Sequence, residues 1–347
     1  MKNPQSISSR VSDIITIERH ILHHERKNPE ATGQLTRLLN QIAYASKVVS
    51  REVRRAGLLD ILGVTGDTNV QGEMVQKLDV IAQDTFFAAL DHIGVLCCMT
   101  SEEVDDIIRI PAQFDLGKYT VAFDPLDGSS NIAANVNVGT IFSVHRKISA
   151  GREGTEEDLL QPGRNQIVAG YVMYGSSTMM VYTTGKGVYG FTLEPSLGEF
   201  LLSHPDIRIP DRGSIYSCNM GNYHYWSEGV RKYVDSLTDS TAGDGRPYSS
   251  RYIGSLVADA HRTLLYGGVF MYPMDYKDPK KPKGKLRMLY EASPMAMIFE
   301  QAGGMATNGK IPILDVQPQS LHERTPLFLG SRAEVAEAMK VIRDHDK

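Results

Sequence analysis

The 347-residue sequence predicts an α/β protein of two tightly packed subdomains. A chain of this length exceeds the capacity of one small hydrophobic core. Amphipathic helical patterns alternate with short β-branched runs in the first half of the chain and again beyond residue 208. Between these regions, residues 167–202 have the β-rich alternation of an antiparallel meander. We therefore expect a mixed sheet in an N-terminal subdomain, residues 1–202, and a mostly parallel sheet between helices in a C-terminal subdomain, residues 203–347.

The composition excludes several classes of protein. Hydrophobic residues make up 41% and charged residues 22% of the chain, as in ordinary globular proteins. A net charge of −4 argues against a general nucleic-acid surface. The three cysteines, Cys97, Cys98 and Cys218, form no C-x-x-C motif and fit a reducing compartment. No stretch approaches a transmembrane helix and no signal peptide is evident, so we expect a cytoplasmic protein without a membrane partner.

Helical spacing marks three early stretches, at residues 11–25, 32–56 and 73–92. Thr32 is the predicted N-cap of the second helix, and Gly57 its predicted stop. Three histidines of the first helix are expected on a solvated face rather than on a metal: His20, His23 and His24. The polar, glycine-rich stretch 63–72 predicts a mobile loop with more than a structural role.

Short apolar runs predict the strands of both subdomains. In the first, they lie at residues 94–99, 107–110, 119–123 and 138–148. In the second, strands at 215–218, 268–272 and 327–330 alternate with helices at 226–237, 256–266 and 286–302, the last interrupted by Pro294. Ser331 and Glu334 have the spacing of a capping box for one further helix.

The strongest chemical signal is the stretch 119–132, which reads YTVAFDPLDGSSNI. Its strand runs into Pro125, which has no N–H for a ladder and biases Asp124 to an extended conformation. Asp124 and Asp127 can therefore project from the strand end into one crevice. Two carboxylates placed in this way suit Mg²⁺ or Mn²⁺.

Groups suited to a phosphate follow the aspartates directly. Gly128, Ser129 and Ser130 can turn backbone N–H groups toward an oxyanion. Glu102 and Glu103 repeat the acidic pattern at the end of an earlier strand. Together these motifs indicate a metal-dependent phosphate-ester site. Each has a simpler alternative when taken alone, an Asx-rich turn for D-P-x-D and a solvated turn or helix cap for the two glutamates.

Longer motifs extend the signal: LQPGRN at 160–165, RYIGSLVAD at 251–259, GKLRMLYE at 284–291 and the run Phe270-Met271-Tyr272. With these motifs the chain resembles the class I fructose-1,6-bisphosphatases from ATGQLT at 31–36 to SLHERTPLFLG at 320–330. The D-P-L-D-G-S-S motif is shared more loosely by the inositol monophosphatase, or lithium-sensitive phosphatase, superfamily. The resemblance implies a layered α/β/α/β/α sandwich, a homotetramer, and a gluconeogenic hydrolase of sugar bisphosphates that uses two or three Mg²⁺ or Mn²⁺ ions per subunit.

The resemblance also implies roles for individual residues. The implied metal ligands are Glu102, Asp124, the backbone carbonyl of Leu126, Asp127 and Glu291. The implied catalytic carboxylates are Asp79 and Glu103, which would activate the attacking water, and the loop residue Glu73. The scissile 1-phosphate is expected at Asp127, Gly128, Ser129 and Ser130. The sugar and 6-phosphate are expected at Asn219, Tyr252, Phe270, Met271, Tyr272, Lys285 and an Arg251 from a neighbouring subunit. The residues after Asn219 depart from the pattern of animal relatives, which leaves open which of them contacts the far phosphate.

An allosteric AMP site is implied at the start of the second helix. The matching positions are Thr32, Gly33, Gln34, Leu35, Thr36, Lys118, Tyr119 and Arg146. Free N–H groups at a helix start, hydroxyls and two cations suit a phosphate, whereas ordinary capping by Thr32 is the alternative. Gln34 stands where many relatives carry Glu, and this difference can alter the potency of AMP.

Two other functions stay open at this point. One is a related enzyme, a sedoheptulose-1,7-bisphosphatase, with an inositol phosphatase as a more distant choice. The other is a non-catalytic sugar-phosphate sensor that retains the pocket. The intact carboxylate set argues against a sensor, because binding alone makes no use of the water-activating pair Asp79 and Glu103.

Overall fold

The computed structural model describes residues 14–25, 33–58, 64–68 and 74–346. Its helices are α1 (Ile17–Glu25), α2 (Gln34–Arg55), α3 (Lys77–Leu90), α4 (Glu156–Leu159), α5 (Glu228–Leu237), α6 (Leu256–Tyr266), α7 (Ser293–Gln301) and α8 (Arg332–His345). Its first ten strands are β1 (Val64–Thr68), β2 (Met74–Gln76), β3 (Leu96–Ser101), β4 (Val104–Arg109), β5 (Tyr119–Asp127), β6 (Val138–Arg146), β7 (Val168–Tyr174), β8 (Thr178–Thr183), β9 (Val188–Glu194) and β10 (Glu199–His204). The remaining strands are β11 (Ile215–Ser217), β12 (Ser249–Ser250), β13 (Val269–Tyr272), β14 (Leu286–Arg287), β15 (Met305–Thr307), β16 (Arg324–Thr325) and β17 (Leu327–Gly330).

The larger sheet has eight strands in the order β10-β9-β8-β7-β6-β5-β3-β4. Strands β3 and β5 are parallel, and every other neighbouring pair in this sheet is antiparallel. The predicted mixed sheet and the predicted meander, which becomes β7 to β10, are therefore confirmed.

The smaller sheet has five strands in the order β12-β11-β13-β17-β15. Strand β11 is parallel to β12 and β13, whereas β17 is antiparallel to β13 and β15. The prediction of a mostly parallel sheet is thus wrong. A buried strand has the same apolar pattern whichever way it runs, so the pattern of residues 327–330 could not give the direction of β17.

Alternating side chains of the two sheets build a layered core. On one face of the larger sheet, Phe123 stacks on Phe86 of α3, with ring centroids 5.7 Å apart. On the other face, the Tyr171 hydroxyl lies 2.7 Å from Nδ1 of His261 on α6. Helices α6 and α7 fill the space between the sheets, and α5 and α8 cover the outer face of the smaller sheet. The layers therefore follow the order α/β/α/β/α, as the resemblance implied, while the boundary near residue 202 stays a prediction.

Two predictions that involved proline were wrong. Strand β5 continues past Pro125 to Asp127, because the ladder shifts register between Asp124 and Asp127 and does not require the missing N–H. The predicted helix 286–302 instead consists of β14, a π-helical turn at Met288–Ala292 and helix α7. Pro294 lies in the first turn of α7, where no N–H is needed, so it starts this helix rather than interrupting it.

Predictions at the two ends of the chain also need correction. His20 is buried, with Nδ1 placed 2.8 Å from the Tyr182 hydroxyl, whereas His23 is exposed as expected. Ser331 makes no capping bond, because its hydroxyl donates to the Pro210 carbonyl at 2.6 Å. Glu334 is fully buried and accepts from the Tyr248 hydroxyl at 2.9 Å.

The early part of the chain follows its predicted pattern with shifted boundaries. Strand β1 occupies part of the predicted loop 63–72, and β2 delays the start of α3 to Lys77. The rest of that loop lies outside the described residues, as do Thr32 and Glu73. The three cysteines are buried and free. Within the described ranges, no helix is long and apolar enough to cross a membrane.

Candidate active site

Three buried carboxylates converge where the larger sheet meets the helical layer between the two sheets. One oxygen each from Asp124, Asp127 and Glu291 lies within 4.8 Å of the others. The two aspartates come from the end of β5, and Glu291 comes from the π-helical turn. Residues far apart in the chain therefore form one acidic site.

A β-bulge brings the two aspartates to the same side of β5. Asp124 pairs with Ile141 of β6, and Asp127 pairs with Gly139, so three residue steps on β5 oppose two on β6. In a regular strand, residues three apart face opposite sides. The extra residue restores a common side, and this is how D-P-L-D can serve one site.

Hydrogen bonds fix each carboxylate. Oδ2 of Asp127 accepts from the Val257 N–H at 2.9 Å and from the Ser255 hydroxyl at 3.1 Å, both at the start of α6. Oδ1 of Asp124 accepts from the Leu126 N–H at 2.9 Å. Oε2 of Glu291 accepts from the Arg287 N–H at 2.5 Å. The cluster is therefore held by both halves of the chain.

The electrostatics of the cluster call for a cation. Burial, reinforced by Glu102, Asp127 and Glu291, raises the pKa of Asp124 well above its usual value. Burial, together with the Glu291 charge, raises the pKa of Asp127 to about 7 against the lowering effect of its bonds at α6. Clustered carboxylate oxygens are the ligands preferred by Mg²⁺ and Mn²⁺, so these residues fit a divalent metal.

Arg287 is a site residue that the sequence analysis missed. The residue is only 4% exposed, and its guanidinium forms an ion pair with Glu102, while Nη1 lies 3.7 Å from Oε2 of Glu291. It therefore offsets part of the cluster's negative charge. Its position four residues before Glu291 indicates a possible ion pair. The same spacing is common on solvent-exposed helices, so it does not by itself indicate a functional site.

Asp79 and Glu103 reach the same site from neighbouring elements. Asp79 lies in the first turn of α3, where Oδ2 accepts from the Gln76 N–H at 2.9 Å. Glu103 follows β3, and its N–H donates to the Ser101 hydroxyl at 3.4 Å. Asp79 therefore caps its helix as well as facing the site. Glu73 lies outside the described residues.

The site opens into a cavity of about 400 Å³. Its walls include Asp79, Glu102, Glu103, Asp124, Leu126, Asp127, Gly128, Ser129, Ser130, Tyr272, Lys285 and Glu291. Gly128 has φ 76° and begins the 3₁₀ helix Ser129–Ala134. A side chain there would lie 3.0 Å from Cβ of Ser255, so the turn requires glycine for both its backbone and its packing.

Two tyrosine hydroxyls meet beside the cavity, and one of these tyrosines lines the cavity together with a lysine. The hydroxyls of Tyr252 and Tyr272 are 2.7 Å apart, and Nζ of Lys285 lies 5.8 Å from the Tyr272 ring centre. Asn219 caps the 3₁₀ helix Met220–Tyr225, and Arg251 is exposed. Of the described residues predicted to contact substrate, five are not among the cavity walls: Asn219, Arg251, Tyr252, Phe270 and Met271.

Phe270 and Met271 lie behind the site rather than in it. Both side chains are almost fully buried, and they belong to separate core clusters on the two faces of the smaller sheet. This placement gives them the role of core residues that support Tyr272, and it corrects the expectation of direct substrate contact.

None of the described positions matched to an AMP site lines the carboxylate cavity. Lys118 Nζ and Arg146 Cζ lie 5.9 and 5.5 Å from the ring centre of Tyr119. Gly33 precedes α2 with φ 74°, and Oε1 of Gln34 is buried without a hydrogen-bond partner among the described residues. In the same first turn, Leu35 packs against the core and Thr36 is buried.

Two backbone contacts connect the first turns of α2 with the start of β5, through residues 93–95. Arg37 of α2 donates to the Ile93 carbonyl at 3.1 Å. Two residues later, the Val95 carbonyl accepts from the Tyr119 N–H at 3.2 Å.

Comparisons with known proteins agree along the whole chain. The family model "Fructose-1-6-bisphosphatase, N-terminal domain" matches residues 15–205, and "Fructose-1-6-bisphosphatase, C-terminal domain" matches residues 209–343. The fructose-1,6-bisphosphatase class 1 of Maridesulfovibrio salexigens is 55% identical over 333 residues, which cover 96% of this chain and 98% of the relative. That of Chloroherpeton thalassium is 57% identical over 326 residues, covering 94% and 92%. The crystal structure of Leishmania major fructose-1,6-bisphosphatase in holo form has a TM-score of 0.87 at 43% identity, covering 95% of this chain and 99% of that chain.

The carboxylate cluster predicts that Mg²⁺ stabilises the protein. One substitution should raise the melting temperature without metal and reduce the rise that Mg²⁺ causes. Mg²⁺ should raise the melting temperature, because it binds the folded protein only. Asp124→Asn should raise the melting temperature in EDTA, because it relieves the cost of a buried charge among like charges, and should reduce the Mg²⁺-induced rise. Scanning calorimetry in EDTA and in saturating Mg²⁺ measures both effects.

Asp158→Asn is the matched control for this experiment. Asp158 is also a fully buried carboxylate, but it is bonded to the backbone of residues 148–155 and is absent from the cavity walls. It should keep the Mg²⁺-induced rise in full. A wild-type rise in Asp124→Asn would contradict the metal assignment.

Proposed function

The chain belongs to the class 1 fructose-1,6-bisphosphatase family and is a phosphoric monoester hydrolase, and we propose that it releases the 1-phosphate of D-fructose 1,6-bisphosphate with Mg²⁺ as its metal. The products are fructose 6-phosphate and phosphate, as in cytoplasmic gluconeogenesis. One observation carries the proposal. The oxygens of Asp124, Asp127 and Glu291 meet within 4.8 Å beside the turn that begins at Gly128, in one cavity.

We assign the metal to the acidic end of this cavity. Its ligands are Glu102, Asp124, the Leu126 carbonyl, Asp127 and Glu291, and Mn²⁺ suits the same oxygens. When bound, two or three such ions offset the charge of the transferring phosphoryl group and acidify a water. The bulge in β5 and the start of α6 hold Asp124 and Asp127 in place before substrate arrives, so little reorganisation is needed.

The chain's own groups then position the reactants. Backbone N–H groups of Gly128, Ser129 and Ser130 hold the oxygens of the 1-phosphate. Asp79 and Glu103 orient the attacking water and accept its proton, assisted by the loop carboxylate of Glu73. The water oxygen bonds to phosphorus while the bond from phosphorus to the sugar oxygen breaks, and that oxygen takes up a proton.

The other end of the substrate lies toward the tyrosine pair. Lys285 binds the 6-phosphate, and Tyr252 and Tyr272 donate to it or to the sugar. Asn219 adds a further contact. Arg251 is exposed, which fits an arginine that reaches into the cavity of a neighbouring copy within a homotetramer.

AMP is the proposed allosteric inhibitor. Its phosphate would lie at the start of α2, near Gly33, Gln34 and Thr36, and its other contacts would include Lys118, Tyr119 and Arg146. Packing of α2 along α3, whose first turn carries Asp79, supports a route from this site to the metals. Because coupling is reciprocal, AMP and Mg²⁺ should each weaken the binding of the other.

Asp127→Asn should abolish nearly all turnover. The lost anionic ligand should cost a factor of about 10² to 10³ in rate. The measurement is phosphate release from fructose 1,6-bisphosphate, sedoheptulose 1,7-bisphosphate and an inositol phosphate, with and without Mg²⁺. The wild-type protein should prefer the fructose ester, and Asp158→Asn should retain wild-type turnover. Near-normal turnover of folded Asp127→Asn in saturating Mg²⁺ would contradict the assignment of Asp127 as a metal ligand. A wild-type protein that binds the sugar bisphosphate without hydrolysing it would indicate a sensor.

Lys285→Ala should raise KM for the bisphosphate far more than it lowers kcat. The far phosphate is bound in the ground and transition states alike, so its loss removes uniform binding. Lys283→Ala removes an exposed lysine two residues away and serves as the control. An unchanged KM in Lys285→Ala would place the far phosphate elsewhere.

AMP should inhibit the wild-type protein, and Lys118→Ala should weaken that inhibition. The reason is that Lys118 is one of the two cations of the proposed AMP site, both of which lie over the Tyr119 ring. Steady-state kinetics at several AMP and Mg²⁺ concentrations measure both inhibition and its antagonism by metal. Lys186→Ala, at an exposed turn, should behave as wild type. Equal inhibition of wild type and Lys118→Ala, or none at millimolar AMP, would remove this site.

A further inference from the structure

We propose that Asp259 and Arg262 of helix α6 are positioning residues that set the separation between the metal carboxylates and the segments that bind the far end of the substrate. This inference rests on the proposed function and deepens it. It makes one buried helix a determinant of specificity for a bisphosphate over a monophosphate.

Asp259 holds the backbone of the segment that carries Tyr252. Its carboxylate is fully buried, and Oδ2 accepts from the N–H groups of Ile253 at 3.0 Å and Gly254 at 2.9 Å. Oδ1 also lies 3.1 Å from the Ile253 nitrogen. Two consecutive amides directly after Tyr252 are thereby fixed to the helix.

Arg262 holds the same segment a second time and connects it to one further segment. Nη2 donates to Oδ1 of Asp259 at 2.5 Å and to the Arg251 carbonyl at 2.6 Å. The same nitrogen donates to the Ser217 hydroxyl at 2.7 Å. Ser217 ends β11, two residues before Asn219. One ion pair therefore fixes the chain on both sides of the proposed sugar and far-phosphate contacts.

The start of the same helix holds the metal end of the site. The Val257 N–H bonds to Oδ2 of Asp127 at 2.9 Å, and the Ser255 hydroxyl bonds to it at 3.1 Å. Five residues of helix, about 7.5 Å of axial rise, separate Val257 from Arg262. Leu256, Val257 and Ala260 are buried between the two sheets, so the helix cannot shift freely. The two ends of the substrate site are thus fixed to one rigid element.

The consequence is a defined effect on substrate choice. If the clamp loosens, the far-phosphate groups lose their position while the carboxylate cluster keeps its ligands. A misplacement of about 1 Å can cost a factor of 10² in rate or binding. We therefore expect Asp259→Asn to raise KM for fructose 1,6-bisphosphate about tenfold or more, with a much smaller change in kcat.

The test compares two substrates that differ only in the far phosphate, fructose 1,6-bisphosphate and fructose 1-phosphate. The readout is the ratio of their kcat/KM values in saturating Mg²⁺. Asp259→Asn should lower this ratio about tenfold, because the loss falls mainly on the bisphosphate. General damage to the fold would lower both values together and leave the ratio unchanged.

Two further variants complete the design. Arg262→Gln removes the other half of the clamp and should lower the ratio as well, so it serves if Asp259→Asn does not fold. Asp158→Asn is the matched control, because Asp158 is equally buried and also accepts from backbone N–H groups, those of Ile148, Ser149 and Thr155. It should keep the wild-type ratio.

The outcomes separate this inference from the function on which it rests. A wild-type ratio in both Asp259→Asn and Arg262→Gln, with normal turnover of the unaltered protein, would overturn the inference alone. Absence of phosphate release by the unaltered protein would overturn the proposed function and the inference together.

Discussion

Burying several carboxylates in one place is the constraint on which the rest of this structure depends. Asp124, Asp127, Glu291 and Glu102 lie close enough that each raises the cost of ionising another. Such a cluster is unfavourable unless opposite charge and hydrogen-bond donors surround it. Arg287, the Leu126 amide and the start of α6 supply part of this compensation. A divalent cation supplies the remainder, and the same charge then serves a phosphoryl group.

The backbone around the cluster departs from regular geometry for this reason. A regular β5 would send Asp124 and Asp127 to opposite faces, so the strand carries a bulge and tolerates Pro125 within it. Between β14 and the regular helix α7, the chain forms a π-helical turn, and Glu291 projects from this turn. Bulges and π-turns are frequent at functional sites, and here they lie on the segments that provide Asp124, Asp127 and Glu291. Local irregularity is thus what allows distant segments to contribute to one acidic cluster.

Much of this arrangement could be predicted from the sequence, and the parts that could not have a common cause. Helix 256–266 and strand 327–330 were predicted with their observed bounds, because local periodicity determines them. The D-P-L-D-G-S-S motif gave the chemistry of the site, since its ligands are adjacent in the chain. Partners tens to hundreds of residues away determine the direction of β17, the burial of His20 and the ion pair of Arg287 with Glu102. No local pattern encodes such contacts.

Helix α6 shows how one element can carry both the catalytic and the recognition function. In its first turn, the Val257 amide, which has no partner within the helix, donates to Asp127. Further along the helix, Asp259 and Arg262 form an ion pair that holds the backbone at Arg251 and Ile253. A pair of this kind contributes little net stability compared with an apolar replacement. Its value lies in geometry, because it connects the segment that carries Tyr252 to the end of β11. Since the helix is enclosed between both sheets, any change that tilts it must disturb the metal end and the sugar end together.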